Sequence, residues 1–362
     1  MKKNILIATN ATDIHATAVS MALKSRGHNI VRWVASGYPN AQDMTFSVSS
    51  NGLSPEWLLA ENSIPIAADN FDAIWLRRPQ QAVLSNKVHK DDFSVAARQA
   101  NFLLKDIWSL IGKTSFWVNP YPSAYLAEYK PLQLKIAAEV GFSIPSTIFS
   151  NNPEHIKSFV REHNGHVVVK GLTVHEWDLD NSGCAVLYTN KISESDLTSD
   201  HELQITPCIY QALVIKACDL RVTYFGTKYF AVSIRSEQDD VNAIDWRSSN
   251  LDKLTLEPSK LPENIDFLCQ KLLERMNLVF GCFDLIITPT GEYIFLEVNQ
   301  AGQFLWIERI LPDLHLLDAF CDFITGERRT EKSTNDHPRV HYREILESGE
   351  FKKMQHGLEA GL

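Results

Sequence analysis

The hydrophobic pattern divides the chain before any chemistry enters. "NILIAT", with the apolar run Ile5 to Ala8, reads as a short buried strand, "DIHATAVSMALKSRG" carries helical periodicity up to Gly27, and "NIVRWVA" is a second strand. Together they predict a β-α-β opening. "FDAIWLRRPQ" reads as a strand ending in Arg77, Arg78 and Pro79, followed by a long helix from about Asp91 to Leu110. Turn residues crowd "WVNPYPSAY", which marks a boundary near residue 120. Beyond it, "AEYKPLQLKIAAEVG" predicts a helix closed by Gly141, with Pro131 tolerable only in the first turn and Lys130 at the start. "NPEHIKSFVREHNG" is a capped helix, and "HVVVKG" a buried strand ending in Lys170.

From "QITPCIYQALVIKACDLRVTYFGTKYFAVSIRSE" onward strands alternate with turns, and "PENIDFLCQKLLERMN" supplies a helix before a final hairpin, "CFDLIITPTGEYIFLEVNQAGQF". That hairpin contains Asp284, Glu297 and Asn299 where Val or Ile would pack better. Simple alternation puts Glu297 and Asn299 on the face of Tyr293 and Phe295. A two- or four-residue loop centred between Thr290 and Gly291 sets Asp284 opposite Glu297, whereas a three-residue loop or a bulge breaks that pairing. Facing carboxylates repel as they leave water, so a cation belongs between them. Mg2+ suits two carboxylates and an Asn carbonyl, with phosphate oxygens completing the octahedron; arginines from elsewhere in the chain are the alternative.

Composition narrows the function class. With 44% hydrophobic and 22% charged residues, the chain reads as a soluble globular protein of two or three domains. The net charge of −9 argues against nucleic acid as partner but leaves room for local phosphate pockets. The six cysteines form no C-x-x-C pair and sit in apolar segments, as reduced packed thiols do. The apolar run at the N-terminus is too short for a signal peptide and none approaches a membrane span, so a cytoplasmic protein is expected. The loop "TNATD" lacks the glycines of a dinucleotide site. "ERRTEKSTNDHPRVHYREILESGEFKKMQHGLEAGL" is highly charged and weakly periodic, and is expected to be a tail.

Single residues admit two readings. Lys170 is either a snorkelling stem or a phosphate contact at a strand end. Arg77 and Arg78 could bind an anion or form surface ion pairs. His175, Glu176 and Asp178 could suggest a metal site, but read more simply as a solvated loop.

The order of Lys130, Lys170, "YQALV", "DLRV" and "FD" with "FLEVNQAGQF" resembles the ATP-grasp ligases. "WLRRP", "VNPYPSAYLAEYKPLQLKIAAEVGFSIPST", "DLRVTYFG" and "IDWR" resemble, within them, the maturases that close rings in microviridin-type ribosomal peptides, the graspetides. The resemblance covers residues 1 to about 326 and implies an α/β (α+β) ATP-grasp fold: an N-terminal preATP-grasp domain (1–120), a central lid domain (121–205), a C-terminal catalytic domain (206–326) and the charged tail (327–362). It implies ATP and Mg2+, with Lys130 and Lys170 on the phosphates, the backbone of Gln211, Ala212, Leu213 and Val214 on adenine, and Asp284, Glu297 and Asn299 on the metal. Arg221 and Arg247 would face the transferring phosphoryl group, and Arg77 and Arg78 the acidic side chains of a precursor peptide. The expected enzyme is an ADP-forming macrocyclase, a homodimer, joining Asp or Glu side chains to Ser or Thr hydroxyls or Lys amines of a leader-plus-core peptide. An ATP-grasp ligase adding a free amino acid, and an inactive ATP-binding scaffold, are the rival readings. Two departures from the family pattern are Arg235, where an acidic residue is common, and a lid stretch "GLTVHEWDLDNSGC" that is not glycine-rich.

Overall fold

The computed structural model describes residues 1–50, 52–59, 64–67, 71–173, 176–179, 183–186, 189–236, 244, 246, 254–327, 340–349 and 351–352. The chain forms two compact units, each assembled from separate stretches. One takes Met1–Tyr125, Asn277–Phe280 and Gln300–Leu362, and the other Leu126–Met276 and Gly281–Asn299.

The first unit opens as the hydrophobic pattern requires, with β1 (Asn4–Thr9), α1 (Ile14–Ser25) and β2 (Asn29–Val34). Asp13 caps α1 by accepting the Ala16 N–H at 2.9 Å, and Gly27, at φ +86°, takes the left-handed turn after it. A hairpin sheet of β3 (Asp43–Ser49), β4 (Gly52–Leu59) and β5 (Ile64–Ala67) follows, then β6 (Ala73–Leu76), α2 (Lys90–Leu110) and β7 (Phe116–Val118). The main sheet is parallel, in the order β2-β1-β6-β7. β1 lies inside it, which is why Ile5, Leu6 and Ile7 are fully buried without alternation. α2 packs Leu104, Ile107 and Trp108 onto this sheet, with Trp108 against Trp33 at 4.7 Å.

After α3 (Tyr121–Leu126) the second unit begins with α4 (Lys130–Val140), whose Pro131 occupies the first turn and whose C-cap Gly141 has φ +107°. It continues through β8 (Thr147–Ser150), α5 (Pro153–Glu162), β9 (Val167–Lys170), β10 (Glu176–Leu179), β11 (Gly183–Val186), β12 (Asn190–Ile192), α6 (Asp200–Ile205) and β13 (Cys208–Ala212). An antiparallel sheet β12-β9-β13-β8 results, with Ile156, Phe159 and Val160 of α5 packed on Val167 and Tyr210. β14 (Cys218–Phe225), β15 (Lys228–Ser236), β16 (Leu254–Ser259), α7 (Glu263–Arg275), β17 (Phe280–Ile287) and β18 (Tyr293–Asn299) complete the unit. Their strands form a five-stranded sheet, β16-β15-β14-β17-β18.

The chain then returns to the first unit as α8 (Leu305–Ile310), α9 (Leu316–Thr325) and α10 (Tyr342–Glu347). Asn119, in the left-handed region at φ 58°, stitches this return. Its amide donates to the Phe280 and Gln300 carbonyls at 2.9 Å, and its carbonyl accepts the Val279 and Phe280 N–H groups. Arg26, at the end of α1, donates to Asp318 at 2.5 Å and Asp322 at 2.6 Å on α9. α10 lies in the charged stretch expected to be a tail, yet Tyr342, Ile345 and Phe351 are buried.

Cys208, Cys218, Cys269, Cys282 and Cys321 are free thiols, as the sequence suggests. Among the described residues no helix is long and apolar enough to cross a membrane.

Candidate functional site

The hairpin of β17 and β18 places its polar residues by a route that simple alternation does not give. The loop holds three residues: Glu292 O accepts from Thr288 N at 2.9 Å, and Gly291, at φ +82°, donates back to Thr288 O. Ile287 pairs with Tyr293, Ile286 with Ile294 and Leu285 with Phe295. An odd loop continued without interruption would set Asp284 opposite Leu296. A bulge between Asp284 and Leu285 takes up one residue, so Asp284 pairs with Glu297, Phe283 with Val298 and Cys282 with Asn299. The odd loop and the bulge cancel, and the expected opposition survives both.

One expectation is corrected. Paired residues share a face and neighbouring residues do not, so Glu297 lies with Asp284 while Phe295 lies with Leu285 on the other side. Phe295 is fully buried there against Phe283 and Phe142. The bulge thus lets residues two apart serve the core and the polar face separately.

Each carboxylate is met by a cation. Arg221, on the adjacent β14, donates to Asp284 at 2.7 Å; the two side chains are 7% and 17% exposed. Burial alone would disfavour the guanidinium charge, but Asp284, Cys282 and Glu297 outweigh it and hold Arg221 above its ordinary range. Lys130, at the start of α4, pairs with Glu297. Gln133, one turn further along α4, fixes that approach. It accepts the Val298 N–H and donates to the Val298 carbonyl, each at 2.9 Å, so a side-chain amide does for β18 what another strand would. The sequence gives no local sign of this role for Gln133.

Lys170 donates to Gln211 at 2.7 Å, and Gln211 to Thr147 at 2.9 Å. The Ala212 and Leu213 N–H groups are bonded to the carbonyls of Ser146 and His166, both at 2.8 Å, so these two donors of the stretch expected to hold adenine are already used. Arg77 and Arg78 part ways. Arg77 is 1% exposed, bonded to the Ala301 carbonyl and 3.3 Å from Asp13, while Arg78 is exposed. Asp13 stays below the usual carboxylate range: burial opposes its charge, but Arg77 and the Ala16 N–H favour it. A surface anchor needs access, so the expectation for Arg77 has no support in its burial. Arg247 and His175 lie outside the described residues, as do the side chains of Glu176 and Asp178.

The residues fit a divalent cation of the Mg2+ kind. Asp284, Glu297 and Asn299 supply hard oxygen donors from neighbouring positions on two strands, and both carboxylates already sit in a cationic environment. Among the described residues no three His, Cys, Asp or Glu side chains are grouped to hold a metal. Two carboxylates and an amide leave the rest of an octahedral shell to water and phosphate, as Mg2+ sites that bind nucleotides do.

Comparison with known proteins now bears on this geometry. Residues 4–124 match the MvdD pre-ATP grasp domain family. Three solved structures superpose along nearly the whole chain. An ATP-grasp ligase associated with ribosomally made peptides, from Chryseobacterium gregarium and in complex with ADP and a leader and core peptide, is 24% identical over 94% of this chain and 100% of its own, TM-score 0.79. The macrocyclase MdnC from Microcystis aeruginosa MRC, bound with precursor peptide MdnA, is 24% identical over 90% and 100%, TM-score 0.77. The macrocyclase MdnB from the same organism is 25% identical over 90% and 99%, TM-score 0.73.

The chain has the ATP-grasp fold. Its N-terminal parallel sheet is the pre-ATP-grasp domain, matched to the MvdD kind. The hairpin with Asp284 and Glu297 lies in the second unit, together with Lys130 and Lys170. No curated protein matches the chain in sequence.

Proposed function

We propose that this chain is an ATP-dependent, ADP-forming macrocyclase that joins Asp or Glu side chains of a ribosomal precursor peptide to Ser or Thr hydroxyls or Lys amines of the same peptide. One observation carries the reading: two facing carboxylates, each held by a basic side chain of the same unit, on a hairpin of the ATP-grasp fold. The peptide assignment draws on the likeness to proteins whose structures contain leader and core peptides.

Asp284, Glu297 and Asn299 would hold Mg2+, which on binding neutralises triphosphate charge and polarises the γ-phosphoryl group. Lys130 and Arg221 would then exchange part of their carboxylate pairing for phosphate oxygens. Lys170 contacts the phosphates, and atoms between Gln211 and Val214 the adenine. A peptide carboxylate attacks the γ-phosphorus, the β–γ bridge breaks and ADP leaves, while Arg221 and Arg247 stabilise charge on the equatorial oxygens. A hydroxyl or amine then attacks the acyl phosphate, loses its proton and expels inorganic phosphate. The enzyme's part is to hold the two groups together and exclude water, which makes the encounter intramolecular.

The domain division follows the same reading: residues 1–120, 121–205 and 206–326 as preATP-grasp, lid and catalytic domains, then 327–362. Arg78, the exposed member of its pair, is assigned to the acidic side chains of the peptide. A cytoplasmic homodimer is the form proposed.

Incubation of the protein with ATP, Mg2+ and a leader-plus-core precursor tests the proposal. Loss of one water per ring, reversed by mild alkali, identifies esters, and alkali-resistant loss identifies amides. A mass gain equal to an amino-acid residue would select a ligase of a different kind. Unchanged peptide mass with ATP bound would overturn the macrocyclase reading.

A further inference from the structure

Three polar side chains on adjacent strands of the β12-β9-β13-β8 sheet form a directed chain. The Thr147 hydroxyl donates to the Pro145 carbonyl at 2.8 Å, so its one proton is used. The Gln211 amide nitrogen donates to Thr147 Oγ1 at 2.9 Å, which turns the amide oxygen toward Lys170, and Lys170 Nζ donates to that oxygen at 2.7 Å. Gln211 is 4% exposed and pairs with Thr147 in register, so neither end of this relay is free to wander.

We propose that Gln211 is a positioning residue for Lys170, holding its ammonium where the nucleotide phosphates bind. This rests on the phosphate role given to Lys170 above. A lysine has four rotatable stem bonds, and ordering them opposes binding unless a partner has ordered them beforehand. Gln211 accepts from one of the three ammonium donors. The choice of residue is informative. Glu297 and Asp284 bring negative charge to Lys130 and Arg221, whereas Gln211 brings none, so it fixes Lys170 without cancelling the charge that attracts phosphate. A glutamate in its place would grip harder and repel the ligand.

The prediction is selective for phosphate. In Gln211→Leu the Kd for Mg·ATP, by isothermal titration, rises about tenfold, the worth of one hydrogen bond to a charged group. Its Kd for adenosine, by ligand-observed NMR, stays within about twofold because adenosine has no phosphate and the adenine is assigned to the backbone of Gln211, which the variant keeps. Gln211→Glu, matched in shape, weakens Mg·ATP by at least as much. Thr147→Val releases the amide and costs about threefold, while Thr147→Ser restores the wild-type value; these variants keep the test open if Gln211→Leu fails to fold. Equal losses for adenosine and Mg·ATP would overturn the proposal, as would normal Mg·ATP affinity in Gln211→Leu beside a weakened Lys170→Met. Normal affinity in Lys170→Met would remove the phosphate role of Lys170 itself, and the proposal with it.

Discussion

Asp284 and Glu297 face each other across an antiparallel ladder, on strands that could reach this register only by spending one residue in a bulge. Two half-buried carboxylates in that position destabilise each other unless a cation intervenes. Glu297→Gln removes one charge and keeps the shape. Its expected effect is a fall in ATP turnover by at least about a hundredfold, in line with loss of a metal-held charge at a phosphoryl-transfer centre, with an unchanged circular dichroism spectrum. Near-normal turnover with ordinary Mg2+ dependence would sink the metal assignment.

Lys170→Met preserves the bulk of the stem and removes the charge. Thermal stability should hold within a degree or two, since the side chain is only half-buried, while Mg·ATP affinity drops about tenfold or more. Titration calorimetry on folded protein separates this from a snorkelling lysine, whose loss would leave affinity intact.

The Arg221–Asp284 pair gives a stability prediction. Arg221→Met strands a carboxylate that is 17% exposed, and breaking a buried pair from one side costs roughly 3–5 kcal/mol, here toward the lower end. Adding Asp284→Asn to that variant should recover a good part of the loss. Chemical denaturation of the two single variants and the double variant measures it, and simple additivity would show that the pair contributes nothing specific.

Truncation after Gly326 removes Tyr342, Ile345 and Phe351 from the first unit and frees Glu308 from the Tyr342 N–H. Melting temperature should fall by several degrees, about what losing three buried side chains predicts. Nucleotide affinity should stay within about twofold, because Lys130, Lys170, Asp284 and Glu297 all lie in the other unit. Complete loss of binding would contradict this.

Glu308 supplies a pH dependence. Burial pushes its carboxyl above the ordinary range, although the Leu317 and Tyr342 N–H groups and His341 pull it down. A group with a raised folded pKa stabilises fully below its unfolded pKa, and that contribution is lost as pH rises through the folded value. The melting temperature of wild type relative to Glu308→Gln should therefore be most favourable near about pH 4 and decline toward about pH 8. The opposite slope would mean that the two N–H groups dominate.

Much of this was legible in local patterns. The β-α-β opening, the cap at Asn152, Pro131 in the first turn of α4 and the turn at Gly141 all follow from short-range stereochemistry. The opposition of Asp284 and Glu297 was expected only for an even loop without a bulge, and the structure reaches it by a three-residue loop and a compensating bulge, neither of which local patterns announce. Asn119 and Gln133 were invisible for a different reason: their partners are backbone groups about 160 residues away, and an amide carries no sign of which carbonyl it will meet. The separation of Arg77 from Arg78 reflects a strand end, where one residue turns inward to Asp13 and the next outward. The β3-β4-β5 sheet did have a signal, since "NG" shortly after the alternating run "MTFSV" is a hairpin signature in the sequence.

The discontinuous first unit has a consequence for synthesis on the ribosome. Its parallel sheet is encoded by the first 118 residues, but His15 waits for the N–H groups of Phe304 and Leu305, Arg77 for the Ala301 carbonyl, and Arg26 for Asp318 and Asp322. At roughly 5–20 residues per second, the interval between Tyr125 and Asp322 lasts on the order of 10–40 s. During it the middle of the chain can complete its own sheets while the earlier-made β-α-β segment remains without its closing helices. The part translated first is thus finished last, and a stalled or shortened chain leaves Arg26, which becomes one of the most buried cations of the finished protein, without its acidic partners.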